Sequence, residues 1–176
     1  MSRILILYST TDGHTLKICQ CLQQIIAGEG HEVVVLAIDE SPPARLDDFD
    51  KIVIGASIRY GKHQQQVYDF IDRHGDSLRA RPSAFFSVNL VARKPGRDQP
   101  DSNPYVKKFL RQIAWQPQHV AIFAGKLNYP IYNWFDRNII RLIMFITKGP
   151  TDPTTVREFT DWQKVDAFGL LVSDME

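Results

Sequence analysis

The stretch Ile4-Leu5-Ile6-Leu7-Tyr8-Ser9-Thr10-Thr11-Asp12-Gly13-His14-Thr15 decides the fold. Ile4 to Tyr8 is apolar at every position, the pattern of a strand buried on both faces; a strand with one wet face would alternate. A hydroxyl-rich turn with one glycine follows. It leads into Leu16, Cys19, Leu22, Ile25 and Ile26, which fall on one stripe of a helix over Thr15 to Ala27. Gly28 and Gly30 stop that helix.

The pattern repeats outward from this unit. Val33 to Ile38, Ile52 to Ala56, Ser83 to Val88 and Val120 to Ala124 are four more apolar runs of strand length. Helical spacing covers Gln64 to His74, Tyr105 to Ile113 and Trp162 to Val172. Between the second and third strands, Asp39 to Asp50 contains Ser41-Pro42-Pro43 and is too short for a long crossover helix. Five buried strands alternating with helices predict an α/β fold, a doubly wound five-stranded parallel sheet covered on both sides. In such folds ligands bind at the carboxyl ends of the strands, so the loops after each strand are where chemistry is expected.

The 176 residues give room for one domain, expected over 1–176. Lys and Arg total 21 against 20 Asp and Glu, a net charge of +1, which excludes a strongly basic nucleic-acid binder. Cys19 and Cys21 are too close to bridge each other within a helix, and no other cysteine is present. They read as small hydrophobes of a reduced, intracellular protein. The N-terminal apolar run is too short for a signal peptide, and no apolar stretch is long enough to span a membrane. The histidines at 31, 63, 74 and 119 have no metal-ligand spacing and read as surface or structural, so no metal is expected.

The first loop, Ser9 to Thr15, places hydroxyls and a glycine at a helix N-terminus. Unpaired N–H groups and the helix dipole there suit a phosphate. An ordinary N-capped turn uses the same residue types, and the loop alone leaves both readings open. No lysine follows the glycine as in G-x-x-x-x-G-K-[ST], and no G-x-G-x-x-G is present. The third-strand loop, Gly55 to Gly61, resembles a G-x-S-x-G elbow, but Arg59 replaces the glycine that a strained nucleophile turn needs. The loop after the fourth strand, Ser87 to Lys94, starts uncharged and turns basic. Three such loops at one sheet edge fit a planar cofactor bearing a phosphate.

The motifs YSTTDGHT, VIGASIRYGKH, PSAFFSVNLVARKP and YNWFDRNIIRLIM together resemble the bacterial flavodoxin-type, quinone-dependent protoporphyrinogen oxidases, over nearly the whole chain. The resemblance implies a flavodoxin-like fold, FMN as cofactor, protoporphyrinogen IX as substrate and menaquinone or ubiquinone as acceptor. It implies that Thr10, Thr11, Gly13, His14 and Thr15 cradle the FMN phosphate. Ser57, Ile58, Arg59, Tyr60 and Gly61, with Ser87, Val88, Asn89, Leu90, Val91 and Ala92, would flank the isoalloxazine ring. Asp12 stands in the phosphate loop where a threonine is usual; repulsion should turn its carboxylate away or onto the helix end. The loop at 87–94 lacks the tyrosine that commonly stacks on flavin, which is expected to leave the outer flavin face open. Arg59 and Arg93 are the candidates to meet the substrate's carboxylates. No residue is assigned as general base. The competing readings are an electron-transfer flavodoxin and an NAD(P)H:quinone reductase.

Residues 126–150 are too long for a plain connection and form an expected insertion. On a helical wheel over 131–148, Ile131, Tyr132, Trp134, Phe135, Ile139, Leu142, Ile143, Phe145 and Ile146 share a broad side. Arg137, Arg141 and Lys148 lie opposite, with Ile140 and Met144 interrupting the polar face. The wheel alone favours a helix packed on its own domain or on a second subunit, so a homo-oligomer stays open. The resemblance, with its bilayer quinone, favours contact with a membrane surface through 131–148, at the cytoplasmic face of the inner membrane.

Overall fold

A computed structural model describes residues 1–39 and 45–176. The Ser41-Pro42-Pro43 stretch lies outside the described residues; after it comes a single 3-10 turn, Leu46–Asp48. The expected strands and helices all form. Strands β1 (Arg3–Ser9), β2 (Glu32–Ala37), β3 (Lys51–Arg59), β5 (Ser83–Asn89) and β6 (His119–Ala124) make a parallel sheet in the order β2-β1-β3-β5-β6. A two-residue strand, β4 (Lys62–His63), folds back antiparallel on the end of β3. The turn between them is Tyr60-Gly61, both at positive φ (51° and 80°), the backbone of a tight hairpin.

Helices α1 (His14–Gly28), α2 (Gln65–Arg79), α3 (Pro104–Gln112) and α5 (Trp162–Asp174) cover the sheet. The all-apolar first strand now has a physical account. Leu5 and Leu7 pack with Val67, Phe70, Phe85 and Phe109 on the α2–α3 side. Ile4 and Ile6 pack with Ile18, Leu22, Val165 and Phe168 on the α1–α5 side. All four β1 side chains are fully buried, because successive residues serve opposite cores. At Gly55 of β3, an added Cβ would fall inside the ring of Phe86, so this strand position has room only for glycine.

The insertion departs from its expected form. A short hairpin of β7 (Lys126–Asn128) and β8 (Val156–Glu158) brackets a 3-10 turn, Tyr129–Ile131, and helix α4 (Trp134–Ile146). The helix is shorter than 131–148. Its buried residues are Ile140 and Met144, which pack with Leu127, Tyr129 and Tyr132. These two were expected to interrupt a polar face; they are the seat of the helix. Arg137 and Arg141 do not form an exposed basic face either. Each is half-buried and donates to a loop carbonyl, Arg137 Nη2 to Tyr132 O at 3.1 Å and Arg141 Nε to Thr151 O at 2.8 Å. Outward instead lie Ile131, Trp134, Phe135, Leu142, Phe145 and Ile146, with Trp134 77% and Phe145 74% exposed. Local packing, not the wheel, decides which face of α4 is seated. Among the described residues no helix is long and apolar enough to cross a membrane.

Candidate functional site

A cavity partly open to solvent lies at the carboxyl ends of β1, β3 and β5, the edge where doubly wound folds bind ligands. Three of its walls are the three loops singled out in the sequence. Thr10, Thr11, Asp12, His14 and Thr15 come from the β1–α1 loop. Ser57, Ile58, Arg59, Tyr60 and Gly61 come from the β3–β4 hairpin, and Val88, Asn89, Leu90 and Val91 from the end of β5.

The first loop leaves the start of α1 without a side-chain cap. Gly13 stands at the N-cap of α1 with φ 82°, a left-handed conformation that side chains resist. No side chain caps this helix and no acidic residue lies in its first turn, so its first N–H groups face the cavity without a side-chain acceptor. The loop is braced from outside. Gly13 N donates to Thr10 Oγ1 at 3.0 Å, and Gln64 Nε2 donates to Thr11 Oγ1 at 3.1 Å while its Oε1 accepts from Ser9 Oγ at 2.8 Å. Two buried hydroxyls that belong to cavity-lining residues, Thr15 Oγ1 and Ser57 Oγ, have no hydrogen-bond partner among the described residues. A buried unpaired hydroxyl is costly, and a polar ligand would satisfy both.

Asp12 does not cap α1. Its carboxylate turns from the helix end and accepts from Arg59 Nη1 at 2.9 Å. The same guanidinium donates through Nη2 to Asp136 Oδ2 of α4 at 2.9 Å and lies over the ring of Tyr132. His14 lines the cavity, yet its Nε2 is 2.6 Å from Thr160 Oγ1 and its Nδ1 is 3.9 Å from Glu158. Burial lowers its pKa more than Glu158 raises it, which favours the neutral ring.

Behind the β5 wall runs a buried polar network. His63 Nε2 lies 2.9 Å from Ser87 Oγ, which also accepts from Asn89 Nδ2 at 3.3 Å. Asn89 Oδ1 in turn accepts from Ala92 N at 3.0 Å and Asn103 Nδ2 at 3.1 Å, fixing the 3-10 turn Leu90–Arg93. Burial between Phe85 and Phe109 pushes the His63 pKa down to about 3, so the ring is neutral.

Not every residue singled out in the sequence reaches the cavity. Gly13 contributes through its backbone, Ser87 supports from behind, and Ala92 and Arg93 face a neighbouring depression. Arg93 is occupied within the protein: Nη1 donates to Leu90 O at 2.8 Å, and Nη2 to Thr147 Oγ1 at 2.9 Å and Thr147 O at 3.2 Å. Tyr132, Ile140, Ile143 and Met144 of the insertion also line the cavity, joined by Tyr105 and Lys126. These were missed because neither an aromatic before a helix nor an apolar helical position carries a chemical signature; only its docking makes it a wall.

Phosphate-accepting amides and hydroxyls at one end, and an apolar, partly aromatic slot at the other, suit a planar molecule carrying a phosphate. Among the described residues no group of three or more acidic, histidine or cysteine side chains is arranged to hold a metal.

A model of the flavodoxin domain matches residues 5–154 of this chain. The chain is similar to protoporphyrinogen IX dehydrogenase (quinone) of Escherichia coli strain K12, at 41% identity over 173 residues, 98% of this chain and 96% of that protein. It is similar to the protein of the same name from Leishmania major, at 44% identity over 167 residues, 94% of this chain and 72% of the relative. Flavodoxin 1 of Bacillus cereus shares the fold at 16% identity, with a TM-score of 0.56 and 98% of each chain covered.

Proposed function

We infer, for a chain that belongs to the flavodoxin domain family, that it oxidises protoporphyrinogen IX and passes the electrons to a quinone. The observation that carries this reading is the 41% identity to a protoporphyrinogen IX dehydrogenase over 98% of the chain, the inserted helix included. FMN is the cofactor this fold would hold: the α1 N-terminus with Thr10, Thr11 and Thr15 would take its phosphate, and the β3 hairpin and the β5 turn would flank its ring. When bound, the flavin supplies the two-electron chemistry that links porphyrinogen to quinone.

The chain's own part is to bind, orient and enclose. The uncapped amides of α1 and the hydroxyls of Thr15 and Ser57 fix the polar end. Arg59 keeps the Asp12 carboxylate off the anion. The His63–Ser87–Asn89 network holds the β5 turn rigid, and Ile140, Ile143 and Met144 exclude water from the apolar end. No side chain is assigned to move a proton. The exposed apolar face of 131–146 supports peripheral contact with the cytoplasmic face of the inner membrane, where menaquinone or ubiquinone would be met.

The deciding experiment mixes FMN-loaded protein with protoporphyrinogen IX under anaerobic conditions, following flavin absorbance and porphyrin fluorescence together. The flavin is expected to bleach as porphyrin fluorescence rises, and to return on adding quinone. A flavin that stays oxidised with porphyrinogen would sink the substrate assignment; bleaching by NADPH alone would move the protein to the NAD(P)H:quinone reductases.

A further inference from the structure

Helix α4 forms a wall of the cavity yet has little apolar packing to hold it. Ile140 and Met144 are its only buried residues, and most of its other large apolar side chains face outward. A helix of 13 residues is not stable by itself and takes its position from tertiary contacts. An arginine supplies such a contact at each end. At the first turn, Arg59 Nη2 donates to Asp136 Oδ2 at 2.9 Å while Nη1 holds Asp12 at 2.9 Å. At the far end, Arg93 Nη2 donates to both oxygens of Thr147, the C-cap residue of α4, while Nη1 donates to Leu90 O. Arg59 is the last residue of β3, and Arg93 ends the 3-10 turn that follows β5, the neighbour of β3 in the sheet. A cation beside the last carbonyls of a helix also complements its dipole.

We propose that Arg59 and Arg93 form a two-point clamp that seats α4 over the cavity and thereby sets how readily a bound molecule passes in and out. Both are positioning residues, acting through α4. Arg59 has a second duty at Asp12, so one side chain governs both the charge at the anion end and the seat of the helix. Asp136→Asn separates the two: it weakens the Arg59 contact to α4, together with the bond that Asp136 Oδ2 accepts from the N-cap residue Asn133 at 3.0 Å, while leaving the Arg59–Asp12 pair in place.

Deuterium exchange on the free protein tests the clamp without reference to any ligand. The amides of 134–146 are followed, with those of β5 as the internal reference for intact folding. Asp136→Asn and Arg93→Gln are each expected to speed exchange across α4 by about fivefold, the range of a partly buried ion pair or charge-assisted bond. The combined variant is expected to exceed either, with β5 unchanged. Unaltered α4 exchange in both single variants would overturn the clamp. The passage half of the proposal rests on the flavin reading and is tested by the rate of FMN release after dilution. Release from Asp136→Asn is expected to be about fivefold faster, without slower association. A loosened α4 with unchanged release would overturn the control of passage. Failure of the unmodified protein to bind FMN would count against the flavin reading alone, since the exchange result would stand.

Discussion

Thr15 shows how much one atom can say about a site. Its hydroxyl is buried at the start of α1 without a partner, although threonines in helices ordinarily bond a carbonyl or water. A phosphate at the uncapped helix end would complete it. Thr15→Val keeps the shape and removes the donor, and is expected to weaken FMN binding by about ten- to a hundredfold, since a hydrogen bond to a charged group contributes roughly 1.5–3 kcal/mol. Titration by quenching of flavin fluorescence measures this, and an unchanged affinity would take Thr15 out of the phosphate site. Asp12 makes the complementary point. Its misfit with an anion was legible from residue chemistry, whereas its partner, 47 positions away, was not. Arg59 and Arg93 read as basic residues at strand ends; that each is already engaged inside the protein depends on where α4 lies.

At the scale of elements, α4 is where the linear pattern misleads. The wheel separated aromatics from arginines correctly, but assigned the arginines to water. In the fold, Ile140 and Met144 point inward, Arg137 and Arg141 extend sideways to loop carbonyls, and the aromatics remain outside. A long guanidinium side chain can lie along an apolar surface and still reach an acceptor, so its charge does not mark the wet face. The outcome is an exposed apolar surface made of Ile131, Trp134, Phe135, Leu142, Phe145 and Ile146. Its contact with lipid is tested by sedimentation with vesicles containing phosphatidylglycerol. The unmodified protein is expected to pellet with the vesicles, and Phe145→Asp combined with Ile146→Asp to lose that binding by tenfold or more, on the order of one buried side chain or two. Equal sedimentation of the two proteins, or of neither, would refute a lipid-facing role for α4.

Over the whole molecule, the site and the stability of the fold meet at His63. An unfolded histidine titrates near 6.5, whereas this one, buried beside Phe85 and Phe109, titrates at about 3. Between those values the unfolded chain binds the additional proton, so stability falls as pH drops through that window and is unaffected by His63 above it. From pH 7 to pH 5 the expected loss is about 2 kcal/mol. Urea unfolding at the two pH values measures it. His63→Gln, which retains an amide donor, is expected to be less sensitive by about that amount. The same slope in both proteins would show that His63 does not titrate this way.

The sequence by itself determined the sheet. Five runs apolar at nearly every position have one low-energy arrangement, a sheet buried on both faces, and the hydroxyl-rich turn after Tyr8 located its ligand edge. It also determined most of the candidate loops, because glycine, threonine and serine at strand ends carry their chemistry locally. The family motifs extended this to the reaction class. Only the tertiary structure decided the face that α4 presents, the internal engagement of Arg59 and Arg93, and the place of Tyr132, Ile140, Ile143 and Met144 in the cavity wall. Those features join residues distant in the chain, and an apolar residue has no directional chemistry until packing gives it a neighbour.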